Sequence, residues 1–446
     1  MALRAVITAI ATEKANVTAT STRFGYETTP EPDLDAVIAT GIRAVYQPIV
    51  DLDSGDVVAY ESLARGPMDS PLESPAALFA AAGSQGRLAE LDRACCAAGL
   101  RGADRAGLRS PAALFVNIEP EVIDAELDNV SRASLYDLRR RLGIFFEVTE
   151  RALTSRPAHL LETVERMRTA GFGIALDDVG ADQRSLALLP LLRPDVVKLD
   201  MSLIHNHPSR QSGEVMNGVC AYAEQTGAAV LAEGVENEQH LLAARSLGAT
   251  LAQGWYFGRP GPLPSTPYVH RSALTLGLAP RVPPPSPVAL VHDRRGLTVG
   301  RKDVLLSVTR ALEAQALTLG AHAVVAATFQ DVRHFTPATR DRYEQLGAHT
   351  SLTVALGTGM PDPPAAGVRG ADLSPDDELV GEWDIAVLGP HYAGALVARD
   401  LGDTGPDHKR RFEFALTFDR ELVTEVAGTL IARVSGSPRS TLVPAL

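Results

Sequence analysis

The chain has 446 residues, 45% of them hydrophobic and 22% charged, which is the balance of a soluble globular protein with room for two or three domains. A formal net charge of −12 argues against a general affinity for nucleic-acid polymer or an acidic lipid surface, while leaving room for a phosphate ligand held through metal ions. Cys95, Cys96 and Cys220 give no disulfide framework and no run is long and apolar enough to span a membrane, so a cytoplasmic protein is expected.

Residues 1–38 are rich in Thr, Ala and Pro and read as a flexible lead-in, with an apolar run too broken for a secretory signal. From Ala44 the pattern becomes regular. Residues 44–51 and 56–65 are strand-like and joined by the turn Asp53-Ser54-Gly55-Asp56, which predicts an antiparallel hairpin. Residues 75–100 have helical spacing. Apolar, partly β-branched runs follow at 113–118, 143–148, 171–176, 195–199, 228–232 and 249–253. Helix-compatible segments lie between them at 131–141, 158–170, 186–192, 213–227 and 236–247. This alternation predicts an α/β fold, a TIM-like (β/α) barrel spanning 39–262. The alternative, an open doubly wound sheet, lacks a glycine-rich loop at its first strand-helix turn.

Residues 263–295 are proline-rich, with Val282-Pro283-Pro284-Pro285-Ser286-Pro287 extended, and read as a linker with stiff sections. A second, smaller unit covers 296–438. It has helical periodicity at 303–315 and 337–347, and strand or short-helix candidates at 323–329, 350–355, 383–388, 393–398 and 412–417. That mixture predicts an α+β or α/β domain, followed by a tail at 439–446.

The chemistry gathers at the ends of the barrel runs. Gly173-Ile174-Ala175-Leu176 passes without polar approach into Asp177-Asp178-Val179-Gly180. Two ionised groups closing a core strand are costly unless paired, and a metal ion removes that cost. Taken alone, the stretch is equally a strand followed by an acidic turn. The other run ends favour the metal. They carry Glu61 and Arg65, Asn117, Glu147 and Glu150, Lys198 and Asp200, Glu233 and Glu236, and Gln253. In such barrels the active site lies at the carboxyl ends of the strands.

Carboxylates and an amide, with no histidine or cysteine nearby, make an oxygen-only set that favours Mg²⁺ or Mn²⁺ over zinc. The acids suffice for two ions about 4 Å apart, the arrangement that activates a water and steadies the leaving oxygen in phosphodiester hydrolysis. Lys198 can orient or deprotonate that water or neutralise a phosphate; its plain alternative is an ion pair with a neighbouring acid. Arg65 suits a phosphate oxygen. Gln47 and Gln253 can read a base edge, hold a water, or make structural hydrogen bonds.

In this order and spacing, Tyr46-Gln47-Pro48-Ile49, Glu61-Ser62-Leu63-Ala64-Arg65, Val116-Asn117, Phe146-Glu147-Val148-Thr149-Glu150, Asp177-Asp178-Val179-Gly180, Val197-Lys198-Leu199-Asp200, Ala232-Glu233-Gly234-Val235-Glu236-Asn237 and Gln253-Gly254-Trp255 resemble the EAL-domain family of cyclic di-GMP phosphodiesterases. The resemblance runs over residues 42–260. It implies a TIM-like barrel with an antiparallel first strand, in keeping with the hairpin, that opens cyclic di-GMP to linear pGpG with two Mg²⁺ or Mn²⁺ ions. By the resemblance, Glu61, Asn117, Glu147 and Asp177 hold the first ion. Asp178 helps to hold the second, with Asp200 close by. Lys198 and Glu233 position and activate the water. Gln47, Arg65, Glu236 and Gln253 lie along the substrate, and Glu150 braces the loop after Asp178.

Family members usually follow the paired aspartates with Phe-Gly-Thr-Gly-Tyr-Ser-Ser; here the run is Val179-Gly180-Ala181-Asp182-Gln183-Arg184-Ser185. In the family that loop supports the second metal and a dimer contact, so a homodimer through the barrel is one expected partner. The altered loop motivates the alternative function, a non-catalytic cyclic di-GMP receptor. The second unit resembles the DICT sensory domain in Val332-Arg333-His334-Phe335, Arg342-Tyr343-Glu344-Gln345-Leu346, Glu382-Trp383-Asp384-Ile385, Leu388-Gly389-Pro390 and Arg410-Arg411-Phe412. That implies signal sensing, with His334, Glu382, Trp383 and Arg411 either lining a pocket or packing in a core.

Overall fold

The computed structural model describes residues 34–118, 135–149, 156–207, 209–264, 274, 285–404 and 406–434. The expected hairpin forms β1 (Arg43–Asp51) and β2 (Val57–Arg65), paired antiparallel with Gln47 opposite Glu61. Asp51 makes its turn: the carboxylate accepts the amides of Asp53 (3.1 Å) and Ser54 (2.8 Å), an Asx-type closure that a strand end allows.

Six more strands follow: β3 (Ala113–Asn117), β4 (Gly143–Val148), β5 (Gly173–Val179), β6 (Val196–Leu199), β7 (Ala229–Ala232) and β8 (Leu251–Gln253). The order β1 to β8 closes into a barrel. β1 runs antiparallel to both β2 and β8, while β2–β3, β3–β4, β5–β6 and β7–β8 pair in parallel. The strands are nearly continuous apolar runs because parallel strands are covered on both faces. Phe115 and Phe145 stack with centroids 4.8 Å apart on neighbouring strands of this core.

The stretch 75–100 is two helices rather than one, Pro75–Ser84 and Leu88–Arg105. Gly86 takes φ +68 between them, a backbone state that alanine-rich helical periodicity does not reveal. The second helix lies close on the hairpin. A Cβ on Gly99 would stand 2.2 Å from Ser62 Oγ, and one on Gly102 would stand 2.1 Å from the Tyr46 hydroxyl. Tyr46 donates from that hydroxyl to the Gly99 carbonyl at 2.7 Å. Ser62, the departure from the family's usual second letter, is therefore accommodated by a glycine. The segment 186–192 begins earlier than expected, as the 3-10 turn Gln183–Leu188 leading into the short helix Leu189–Leu192. Helices Pro157–Thr169, Arg210–Thr226 and Glu238–Ser246 fall where the spacing puts them.

The C-terminal domain is a mixed seven-stranded sheet. In chain order its strands are β9 (Thr298–Arg301), β10 (Val324–Asp331), β11 (Leu352–Thr358), β12 (Arg369–Asp372), β13 (Ile385–Leu388), β14 (Ala393–Asp400) and β15 (Arg411–Thr417). They are arranged β12-β11-β10-β13-β14-β15-β9. Helices Lys302–Leu319, Pro337–His349 and Arg420–Ile431 accompany the sheet. Leu305, Val325, Tyr343, Leu346, Val387, Leu396 and Phe412 lie in one buried core.

Part of the expected linker is helical. Pro287–Arg295 opens with Pro at its first turn, and the Ser286 hydroxyl accepts the Ala289 amide at 3.2 Å. Among the described residues no helix is long and apolar enough to cross a membrane. The described residues fall into two compact units: those of Met1–Val148 with Leu231–Leu276, and those of Thr149–Val230 with Gly277–Leu446.

Candidate active site

β2, β3 and β4 present Glu61, Asn117 and Glu147. Asn117 and Glu147 are register partners, and the Asn117 amide nitrogen donates to Glu61 Oε1 at 3.1 Å. That bond orients Asn117 with its amide oxygen available to a cation. Glu61 is 6% exposed and Glu147 2%. Two carboxylates so deeply withdrawn favour a compensating positive charge. From β8, Gln253 donates its amide nitrogen to Glu61 Oε2 (2.5 Å) and to Gln47 Oε1 (3.1 Å). Gln47 in turn donates to the Gly258 carbonyl at 3.0 Å. Both polar ends of Gln47 are thus engaged, which matches its plain structural reading.

Gln253 is placed by a close approach of the chain beyond it. A Cβ on Gly254 would lie 2.0 Å from the Val235 carbonyl oxygen, so glycine lets the two segments touch. The Val235 amide donates to the Gln253 carbonyl at 3.0 Å. Glu233 is half-buried after β7, and Glu236 is exposed beyond Gly234. Arg65 is half-buried; burial, ahead of repulsion from Arg43, lowers its pKa, and it donates to the Ala64 carbonyl at 2.7 Å.

The paired aspartates owe their arrangement to a β-bulge. Leu176 pairs with Val197 and Val179 with Leu199, so Asp177 and Asp178 together oppose the single residue Lys198. In a regular strand adjacent side chains point to opposite faces. Here Asp178 takes φ +56, and the two carboxylates come to have oxygens within 4.8 Å of each other. Burial, then the neighbouring charge of Asp177, raises the Asp178 carboxyl above its ordinary range. Lys198, 1% exposed, places Nζ 3.0 Å from Asp177 Oδ1. Asp200, 2% exposed, uses Oδ1 to accept the Ser202 amide at 2.9 Å, capping the helix Met201–His205. The bulge and this cap are what sequence reasoning missed. The signal available for the first was Asp followed two places later by Gly, since Asp tolerates the left-handed region.

The loop after the bulge is closely organised despite its altered letters. The Gly180 amide donates to Ser185 Oγ (3.2 Å), and that hydroxyl donates to the Asp182 carbonyl (2.8 Å). Asp182 caps the Gln183–Leu188 turn by accepting the Arg184 amide at 3.0 Å. Gly180, at φ +100, lies where a Cβ would meet Leu203 at 2.5 Å. Glu150, expected to brace this loop, falls outside the described residues.

The donor chemistry of these strand ends fits a hard divalent cation. Carboxylate and amide oxygens predominate, and Glu61, Glu147 and Asp200 are withdrawn from water. Trp383 packs edge-on against Phe412 (centroids 5.5 Å), Arg411 pairs with Asp403 (3.0 Å), and His334 bonds the Phe329 carbonyl (3.0 Å). Glu382 lines a cavity of about 460 Å³, with Ser286, His292, Glu378 and Arg399.

A closed barrel with its first strand reversed, and acids at the strand ends, defines a TIM-like α/β protein. The family model of the EAL domain matches residues 34–260, just over half of the chain, and that of the DICT domain, a sensory domain in diguanylate cyclases and two-component systems, matches 293–401. The chain belongs to the EAL-domain family and carries a DICT domain. Among its relatives is the cyclic di-GMP phosphodiesterase RocR of Pseudomonas aeruginosa, 31% identical over 227 residues, covering 49% of this chain and 57% of RocR. Another is the cyclic di-GMP phosphodiesterase NbdA of the same organism, 34% identical over 234 residues, covering 49% of this chain and 29% of NbdA. Among solved structures, the Klebsiella pneumoniae BlrP1 complex with calcium and cyclic di-GMP is 28% identical with a TM-score of 0.44, covering 50% of this chain and 57% of that one. The match thus spans little more than half of these proteins, or less.

Proposed function

We propose that this chain is a metal-dependent phosphodiesterase that opens cyclic di-GMP to linear pGpG, in the cytoplasm, under control of its DICT domain. The observation that carries the reading is the bulge that sets Asp177 and Asp178 side by side opposite Lys198. Ordinary strand packing has no need of two adjacent carboxylates on one side. The names of the relatives supply the substrate, and the oxygen donors supply the class of metal.

Glu61, Asn117, Glu147 and Asp177 would hold one Mg²⁺ or Mn²⁺ ion, and Asp178, with Asp200 near it, would hold a second. Bound there, such ions lower the pKa of a water and offset charge on the leaving oxygen. The chain's own side chains do the rest. Lys198, held by Asp177, would direct an N–H toward the attacking water, or would take the water's proton if it first released its own to solvent. Glu233 orients the same water. Arg65 takes a non-bridging phosphate oxygen. Glu236 and the Gln47–Gln253 pair lie along the nucleotide, the two glutamines also fixing Glu61. Residues 39–262 serve as the catalytic domain and 296–438 as the sensory one, and the barrel can pair with a second copy.

Purified full chain with Mn²⁺ or Mg²⁺ should convert cyclic di-GMP to pGpG, stop when EDTA is added, and stop in Glu61→Gln. Tight binding of cyclic di-GMP without product would make the chain a receptor instead.

A further inference from the structure

The segment Thr149–Val230, which carries β5, the paired aspartates and Lys198, is compact with the C-terminal domain. The contacts include the loop that follows the aspartates, whose Gln183–Leu188 turn lies against Gly320–His322, and the helices Pro157–Thr169 and Leu189–Leu192, which lie against Arg420–Ile431. Ser351, just before β11 and 8% exposed, donates its hydroxyl to the Ala321 carbonyl and stands 3.4 Å from that of Arg184. Leu186, 1% exposed, lies beside Gly218, as does Pro390 of the C-terminal domain. A Cβ added to Gly218 would meet Leu186 at 3.1 Å and Pro390 at 3.5 Å, so all three meet over the Arg210–Thr226 helix. Pro390 is itself held firmly. The Arg420 guanidinium donates to the carbonyls of Gly389 (3.0 Å) and Pro390 (2.9 Å).

From Arg184 and Leu186 a short path leads back to Asp178. Ser185, fully buried between them, ties the Asp182 carbonyl to the Gly180 amide, and the Ala181 amide donates to the Asp178 carbonyl at 3.1 Å. Asp178 stands in the left-handed region, which Asp tolerates better than most residues and which the neighbouring chain helps to hold. The loop that follows Asp178 is met from outside by the C-terminal domain.

We propose that the C-terminal domain acts on the rim through these contacts: docked, Ser351 and Pro390 hold the Gln183–Leu188 turn and so hold Asp178 in its bulged position; released, the turn loosens and the second cation site weakens. The proposal rests on the phosphodiesterase reading for its consequence but not for its mechanics. It makes the sensory domain an intramolecular clamp on the loop, in place of a contact supplied by a second copy.

The test uses the full chain. Gly218→Leu drives a side chain between Leu186 and Pro390. Arg420→Ala, which frees the Pro390 turn without adding bulk, is the second variant should the first fail to fold. Amide hydrogen exchange without metal should quicken across 178–188 in either variant and stay unchanged in β2 to β4. Mn²⁺ titration should show the weaker of two binding events reduced about tenfold, within the range of inter-site couplings. Unchanged exchange at 178–188 in both folded variants, with unchanged Mn²⁺ binding, would overturn the clamp. If wild-type chain proves to have no turnover, the exchange and titration still decide the clamp separately from the activity.

Discussion

Lys198 Nζ lies 3.0 Å from Asp177 Oδ1, and both side chains are withdrawn from solvent, Lys198 almost wholly. This ion pair and a catalytic lysine are not competing descriptions. With a cation held by Asp177, Lys198 would stand beside it, within reach of a water there. Lys198→Met should therefore lower turnover by about 10²–10⁴-fold, the usual contribution of a positioned acid-base group. Mn²⁺ affinity should hold or rise, because a competing positive charge has gone. Steady-state kinetics beside calorimetric titration checks both, and a matched fall in affinity would count against the assignment.

Asp178 sits at φ +56, and the bulge depends on it. Asn tolerates that region through local hydrogen bonding, whereas Ala does not. Without metal, Asp178→Asn should unfold near the wild-type denaturant midpoint, and Asp178→Ala should be less stable by about 1 kcal/mol. Urea unfolding of the two variants side by side measures the difference.

Gly254 permits the contact between the segments around Val235 and Gln253, with 2.0 Å between its would-be Cβ and the Val235 oxygen. Gly254→Ala forces them apart and loosens the hold of Gln253 on Glu61. A loss of about 1–3 kcal/mol in thermal stability is expected from the overpacking, accompanied by weaker Mn²⁺ binding. Differential scanning fluorimetry with and without Mn²⁺ reads both.

In the C-terminal domain Glu382 and Asp384 are both buried and adjacent. Burial first, then the neighbouring carboxyl, raises Asp384 well above its ordinary range, and burial also raises Glu382. The folded chain therefore keeps a proton that the unfolded chain releases. Stability from this pair is greatest near the ordinary carboxylate pKa of about 4 and falls as pH rises toward the raised values. Asp384→Asn keeps an oxygen for the Ala398 amide, now accepted at 3.2 Å, and should flatten that fall. Tryptophan fluorescence in a Trp255→Phe background, which leaves Trp383 as the reporter, follows the unfolding of this domain across pH. An unchanged slope would mean that the pair does not share a proton.

Much of this molecule was legible before its structure. Gly143–Val148 and the hairpin were readable because apolar patterning and turn chemistry agree locally with the fold. Acids at strand ends were readable because a barrel rim is built from consecutive segments of chain. What escaped depends on pairing between distant segments. β12 is a short polar run, Arg369–Asp372, that becomes a strand only by lying along β11. The bulge at Asp177-Asp178 exists only in the register of β5 against β6. Pro287–Arg295 was hidden by its first residue and the prolines before it, although Ser followed by Pro is a helix-start signal as well as a linker one.

The measurement that bears most directly on the central claim is anomalous scattering at the manganese edge from crystals grown with Mn²⁺ and cyclic di-GMP. The account predicts two peaks about 4 Å apart, one among Glu61, Asn117, Glu147 and Asp177 and one at Asp178. Cyclic di-GMP bound with no manganese peak at Asp177 or Asp178 would contradict it.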